Sequence, residues 1–290
     1  MNTTRPPRGR RQSKPGGAPA AKRPAPADRP GPRPAPARLL REAARALAAE
    51  ADPAAARQFL TYFKPHERVR VLGVKSPRVR EILAGIHERV RGRWALKDAV
   101  AFTELCVRRR EMEIRGIGTA LLGRYAAEYE ASLLPRVRRW LAAGCLDNWA
   151  SVDSMAGNVV SPLLRRFPAL VGDLAGWSAS RNLWVRRMSV VALVPFARHG
   201  EHLDEAYGVV EALLGDGEDL MHKATGWLLR EAGKTDAARL ERFLLTHGAA
   251  VPRTTLRYAI ERFPAAERKR LLAATRTRSA PAVAPLRQTR

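Results

Sequence analysis

LWVRRMSVVAL, beginning at Leu183, and DLMHKATGWLL, beginning at Asp219, align without gaps at a shift of 36 residues, pairing Arg187 with Lys223 and Leu193 with Leu229. Two such steps back from Arg187 lies Arg115, in MEIRGIGTAL, and 34 residues beyond Lys223 lies Arg257, in TLRYAIERF. SVDSMAG puts Asp153 in the remaining slot. A unit this short cannot bury an apolar face alone, so recurrence at this spacing demands stacking, each unit covering its neighbour's core. Equivalent positions then line up along one face of the stack. The row that results is Arg115, Asp153, Arg187, Lys223 and Arg257, four cations around one acid.

The repeated unit is helical. LLREAARALAAEA opens at Leu39 with strong helix formers, and SPRVREILAGIHERV offers Ser76 as a cap with Pro77 in the first turn. DAARLERFLL caps at Asp236 and repeats apolar residues at Leu240, Phe243 and Leu244. Pro195, inside VVALVPFARHG, should end or kink its helix early. No run alternates with period two, so the chain reads as all-α, an α-solenoid of HEAT-like helical repeats whose curvature makes a concave basic groove.

From Met1 to Arg38 the sequence is Pro, Ala, Gly and Arg, with ten cations facing only Asp28 and almost nothing to bury. This predicts a disordered basic arm over 1–38, a repeat domain over 39–274, and a shorter basic tail over 275–290. Two readings of the arm stand side by side: a nonspecific phosphate tether, and a solvated tail with no selected role.

Lys and Arg number 52 against 28 acids, for a net charge of +24, and only eight of the 52 are lysine. Such an excess suits a polyanion, and the planar fork of Arg binds two phosphate oxygens at once, which favours nucleic acid. No apolar run approaches the ~18 residues of a membrane span. Cys106 and Cys145 cannot make a disulfide framework, and the N-terminus lacks the apolar segment of a signal peptide. The expectation is a cytoplasmic monomer, nucleoid-associated when bound to DNA, with no obligate protein partner and no cofactor.

Trp149 and Asp153 are four residues apart and share a helix face; Trp184 with Arg187, and Trp227 with Arg230, are three apart and do the same. Taken singly, each pair reads as a core ring beside a rim charge, but its recurrence on a basic stack indicates a site. A phosphate-binding face has no use for a carboxylate, so Asp153 must meet something positive. In nucleic acid, a base alkylated on a ring nitrogen supplies that charge, and its departure leaves oxocarbenium character on the sugar. A carboxylate beside that sugar stabilises it, as in glycoside hydrolysis, and orients the attacking water. The leaving base is already charged and needs no general acid, which accounts for one acid where glycosidases use two. Tryptophan faces add cation–π attraction of about 0.5 to 2 kcal/mol each.

At NWASVDS (148–154), NLWVRRMSV (182–190) and HKATGWLLREAGKT (222–235), with looser support from TYFK (61–64) and LGVKSPRVR (72–80), the sequence resembles the DNA alkylation repair family, the HEAT-like-repeat glycosylases of AlkD type. The resemblance spans most of Leu39 to Phe263. It implies that Trp149 and Asp153 are the active-site Trp and Asp, Trp227 a second lesion-facing Trp, and Arg187 and Arg230 functional arginines at the DNA backbone. Tyr62 matches an aromatic of the N-terminal helices, although two extra residues separate it from Gly73. Lys223, Arg115, Arg257 and Trp184 complete the expected DNA-binding set. The implied activity is hydrolysis of N3- and N7-alkylpurines from duplex DNA without strand cleavage and without flipping the base into a pocket. The alternative is a non-catalytic repeat scaffold that binds damaged or branched DNA. An RNA-binding repeat protein is a third reading, and it calls for stacking aromatics on every repeat.

Other signals read as structure. RHGEHLDE (198–205) gathers His199, Glu201, His202 and Asp204, but Gly200 marks a turn between helices and no metal is expected there. GIGTALLG (116–123) reads as close helix packing, since it lacks the strand of a dinucleotide fingerprint. Ser151 and Ser154 have no His nearby in sequence, His222 reads as a partly exposed helix residue, and Asp147 is expected to cap the helix that carries the motif.

Overall fold

A computed structural model describes Met1 and residues 33–64, 67 and 69–276; the predicted arm up to residue 32 and the tail from residue 277 lie outside the described residues. Contacts divide the chain after Pro32, and the described helices all belong to the unit that begins at Arg33. They are α1 (Pro36–Ala49), α2 (Pro53–Leu60), α3 (Ser76–Val90), α4 (Leu96–Val107), α5 (Met112–Gly123), α6 (Leu133–Ala142), α7 (Trp149–Met155) and α8 (Ser161–Arg166). There follow α9 (Asp173–Ser178), α10 (Leu183–Val191), α11 (Val194–Ala197), α12 (Leu203–Ala212), α13 (Asp219–Ala232), α14 (Ala237–His247), α15 (Arg253–Ala259) and α16 (Ala265–Ala274). Pairing of β type among the described residues is a single bridge between Arg70 and Glu111, so the fold is all-helical.

Local chemistry starts these helices. Asp52 accepts from the N–H groups of Ala54 and Ala55 at the head of α2, Asn182 from Trp184 and Val185 at α10, and Asp236 from Arg239 at α14. Ser76, expected as a cap, is instead the first residue of α3, behind Lys75, which makes no side-chain cap bond. Pro77 in that first turn has no N–H to satisfy, which lowers the need for a cap. Pro195 falls as predicted: α10 stops at Val191, and the proline sits in the first turn of the short α11. At the ends, α1 begins at Pro36, ahead of the expected boundary, and Thr275 is buried, its hydroxyl bonded to the Leu271 carbonyl.

The helices that carry the predicted row pack in chain order: α5 on α7, α7 on α10, α10 on α13, and α13 on α15. A single apolar cluster runs beneath them, from Leu39 to Leu271. Two glycines set the approach. A Cβ on Gly118 of α5 would stand 2.4 Å from the Cys106 Cβ on α4, and one on Gly226 of α13 would stand 2.8 Å from the Thr255 carbonyl on α15. The sequence period reappears as ion pairs between successive units: Arg165 with Glu201, Arg198 with Glu231, Arg239 with Asp204, and Arg230 with Glu261, separated by 36, 33, 35 and 31 residues.

Candidate functional site

Helix α7 is only seven residues long, yet it carries both Trp149 and Asp153. Its start is set by Asn148, whose side chain accepts from Ser151 N at 2.9 Å. Asp147, expected to be the cap, lies one residue too early for that geometry and pairs with Arg115 instead. The helix runs directly into a π-helical turn, Ala156–Val160, where Asn158 donates to the Ser154 carbonyl. Insertions of this kind re-aim side chains next to functional positions.

Asp153 is held by Arg187 through two parallel bonds, Nε to Oδ1 and Nη2 to Oδ2, both 2.9 Å. The third arm of the guanidinium, Nη1, donates to the Leu220 carbonyl at 2.7 Å, so α13 holds Arg187 while Arg187 orients Asp153. The Arg187 side chain is 6% exposed, whereas Asp153 keeps 22%, which leaves the acid reachable from solvent. Burial pushes the Asp153 carboxyl above its ordinary range, against the pull of the Arg187 charge and hydrogen bonds. Two of its roughly four lone-pair sites are taken by Arg187, and the rest stay free for water or a cation.

The four cations of the row have different fates. Arg187 binds the acid. Arg115 is buried at 4% exposure, with Nη1 on Asp147 and Nε on the Arg109 carbonyl, each at 2.6 Å. Lys223 pairs with Asp219 at 2.9 Å on its own helix, close enough to Arg187 to feel its charge. Arg257 is exposed and makes no ion pair among the described residues. Arg187 and Arg115, both expected among the DNA contacts, are enclosed: all three guanidinium nitrogens of Arg187 bond within the protein, and Arg115 uses Nε and Nη1 there. Arg230, also expected at the backbone, donates to Glu261 at 2.5 Å and is four-fifths covered.

The tryptophans separate in the same way. Trp184 and Trp227 are half-buried and lean on the apolar cluster, while Trp149 stands apart from it. Its neighbour is Phe63, stacked at 5.3 Å between centroids and 20° between planes. Phe63 follows α2 and packs against Phe59, whose other side meets Tyr62, 69% exposed. Lys64 then reaches Asp219 on α13 at 3.9 Å. Sequence reasoning selected Tyr62 and overlooked Phe63; the available signal was three aromatics, Phe59, Tyr62 and Phe63, within five residues of a chain that is only 6% aromatic.

The turn reading of RHGEHLDE holds: Gly200 has φ +76°, and His202, at φ 52°, precedes α12 with its ring on Glu205. Among the described residues no cluster of three potential metal ligands occurs, and no helix is long and apolar enough to cross a membrane.

The family model described as DNA alkylation repair enzyme matches residues 43–263. Among solved structures, a predicted DNA alkylation repair enzyme from Enterococcus faecalis superimposes with a TM-score of 0.65 at 14% identity, over 74% of this chain and 98% of that one. At that identity the likeness speaks for the fold. No curated protein matches the chain.

Proposed function

Because the chain belongs to the DNA alkylation repair enzyme family, we propose that it is a DNA glycosylase, acting on positively charged N3- and N7-alkylated purines in duplex DNA and leaving an abasic site. The observation that carries this reading is Asp153: an acid on a strongly basic chain, partly open to solvent, with one edge fixed by a buried Arg187. A carboxylate placed for nonspecific phosphate binding would be counterproductive there, because it repels the DNA backbone.

In the proposed reaction the C1′–N9 bond of an N7-alkylguanine, or its equivalent in an N3-alkyladenine, breaks with both electrons going to the charged purine, which leaves neutral. Positive charge develops on the deoxyribose, and Asp153 stabilises it from a partly desolvated position where Coulomb attraction is poorly screened. Water, oriented by the free lone pairs of Asp153, adds its oxygen to C1′ and passes its proton to bulk solvent. Arg187 acts through Asp153: its two bonds fix the carboxylate plane and oppose protonation. Trp149 and Trp227 pack against the sugar and the lesion, and Trp184 lies among the DNA contacts. Stacked α5, α7, α10, α13 and α15 would form a HEAT-like solenoid, its concave face taking the duplex, with Arg257, Lys223 and Tyr62 as its exposed contacts. A monomer acting in the cytoplasm on nucleoid DNA fits this reading.

The test is release of free 7-methylguanine from a defined duplex. The parent chain should release the base, and Asp153→Asn should bind the duplex yet release the base at least about a hundredfold more slowly. If both bind and neither releases the base, the chain is a scaffold for damaged DNA.

A further inference from the structure

Trp149 is the first residue of its helix and, among the described residues, does not pack on the apolar cluster that Trp184 and Trp227 lean on. A half-exposed indole in that position is free to choose among rotamers unless something stacks on it. Phe63 does so, nearly parallel, from a segment 86 residues earlier in the chain. That segment is itself held at several points. Its turn follows α2 through the bond from Phe63 N to the Leu60 carbonyl at 3.0 Å. Phe59 braces the Phe63 ring at 5.7 Å. Beyond it, Lys64 N donates to Glu67 at 2.8 Å, and Lys64 Nζ faces Asp219, which also holds Lys223. The segment after α2 thereby meets α7 through Phe63 and α13 through Lys64, and places one ring against the indole.

We propose that Phe63 is a positioning residue of this site, its ring fixing the orientation of the Trp149 indole one helical turn from Asp153. The proposal rests on the glycosylase reading for its catalytic consequence, and on geometry alone for the orientation of Trp149. Among the described residues Phe63 meets the site through its stack on Trp149, so removing it should disturb the rate more than the affinity.

The experiment uses the full chain with Phe63→Leu, Phe63→Tyr, Trp149→Phe and the double variants that combine Trp149→Phe with each Phe63 change. Subtracting the near-ultraviolet circular dichroism of each Trp149→Phe protein isolates the Trp149 band. That band should collapse in Phe63→Leu and return in Phe63→Tyr, which keeps a stacking ring. Single-turnover release of 7-methylguanine at saturating protein should fall about threefold to tenfold in Phe63→Leu, the size of one aromatic pair. It should recover in Phe63→Tyr, and duplex affinity should stay constant. In the Trp149→Phe background, Phe63→Leu should have a smaller effect, showing that the two rings act as one unit.

An unchanged Trp149 band in Phe63→Leu overturns the proposal. So does a loss of affinity that accounts for the whole loss of rate, since Phe63 would then be a DNA contact. Should Phe63→Leu fail to fold, Phe63→Met, which fills the same space without a ring, decides the matter: an unchanged Trp149 band there also overturns the proposal. A parent chain that releases no base sinks the glycosylase reading, while the spectroscopic arm still decides whether Phe63 orients Trp149.

Discussion

Asp153 and Glu231 are both acids enclosed in the helical stack, both held by arginine, and their carboxyls are displaced in opposite directions. Glu231 is 2% exposed and faces Arg198 at 2.9 Å, Lys234 at 2.5 Å and Arg230 at 3.5 Å. Burial works against its charge, yet the bonds from Lys234 and Arg198 outweigh that and hold the carboxyl below the usual range. Asp153 has one cation, joined by two bonds, and its side chain stays 22% exposed; there burial prevails and the carboxyl moves up. Cation number and access thus distinguish Glu231, a tie between helices, from Asp153, the acid proposed to meet the substrate. A surplus of positive partners makes an acid inert, and a single well-aligned partner leaves it oriented and available.

The contrast is open to attack in several ways. The largest effect belongs to Asp153→Asn, which should cost a hundredfold or more in single-turnover base release, about 3 kcal/mol in the barrier. Glu231→Gln should leave that rate unchanged; equal losses in the two variants would erase the distinction. Next, Glu231→Gln should lose about 1–2 kcal/mol of stability in urea unfolding, because its cations are left without their acceptor.

The pH dependences should then run opposite ways. Glu231, with its folded pKa lowered, contributes stability above the free glutamate value of 4.5 that is lost as pH falls through the folded value. Urea midpoints of Glu231→Gln should lack that acid loss. For Asp153, with its folded pKa raised, the contribution is present at low pH and is lost as pH rises through the folded value. Base release needs the ionised acid, so its rate should climb with pH along a limb centred above the free aspartate value of 3.8. A limb at or below that value would mean that Arg187 outweighs burial.

The smallest effect concerns the exposed end of the row. Arg257→Ala should lower the slope of log affinity against log salt by about 1, while Arg115→Met, removing a buried partner of Asp147, should leave the slope unchanged and reduce stability. Equal slopes for both variants would mean that burial does not sort these cations.

Much of the architecture was legible in advance because it depends on local pattern. Helix formers, caps such as Asp236 and the stop before Pro195 act within a turn or two of chain. The repeat spacing named the helices that come to pack in order. The row did not tell how each charge would be used. Arg115 and Arg187 occupy equivalent slots and both end buried on acids, but Asp147 answers one and Asp153 the other. A one-residue difference in where α7 begins decides this, since Asn148 takes the cap and frees Asp147. Phe63 was hidden for another reason: its partner lies 86 residues away, outside any repeat relation.

By itself, then, the sequence determined the helical class, the spacing of the units, the helical turn that joins Trp149 to Asp153, and a charge excess suited to a polyanion. Those properties follow from propensity, periodicity and composition, which are additive along the chain. Only the tertiary structure decided which cations remain exposed, that Arg187 holds Asp153 and does not face solvent, and that a phenylalanine from the N-terminal helices stacks on Trp149. Each of those outcomes is a competition among partners brought together from distant segments. Its result depends on burial and ångström-scale distance, which no linear spacing records.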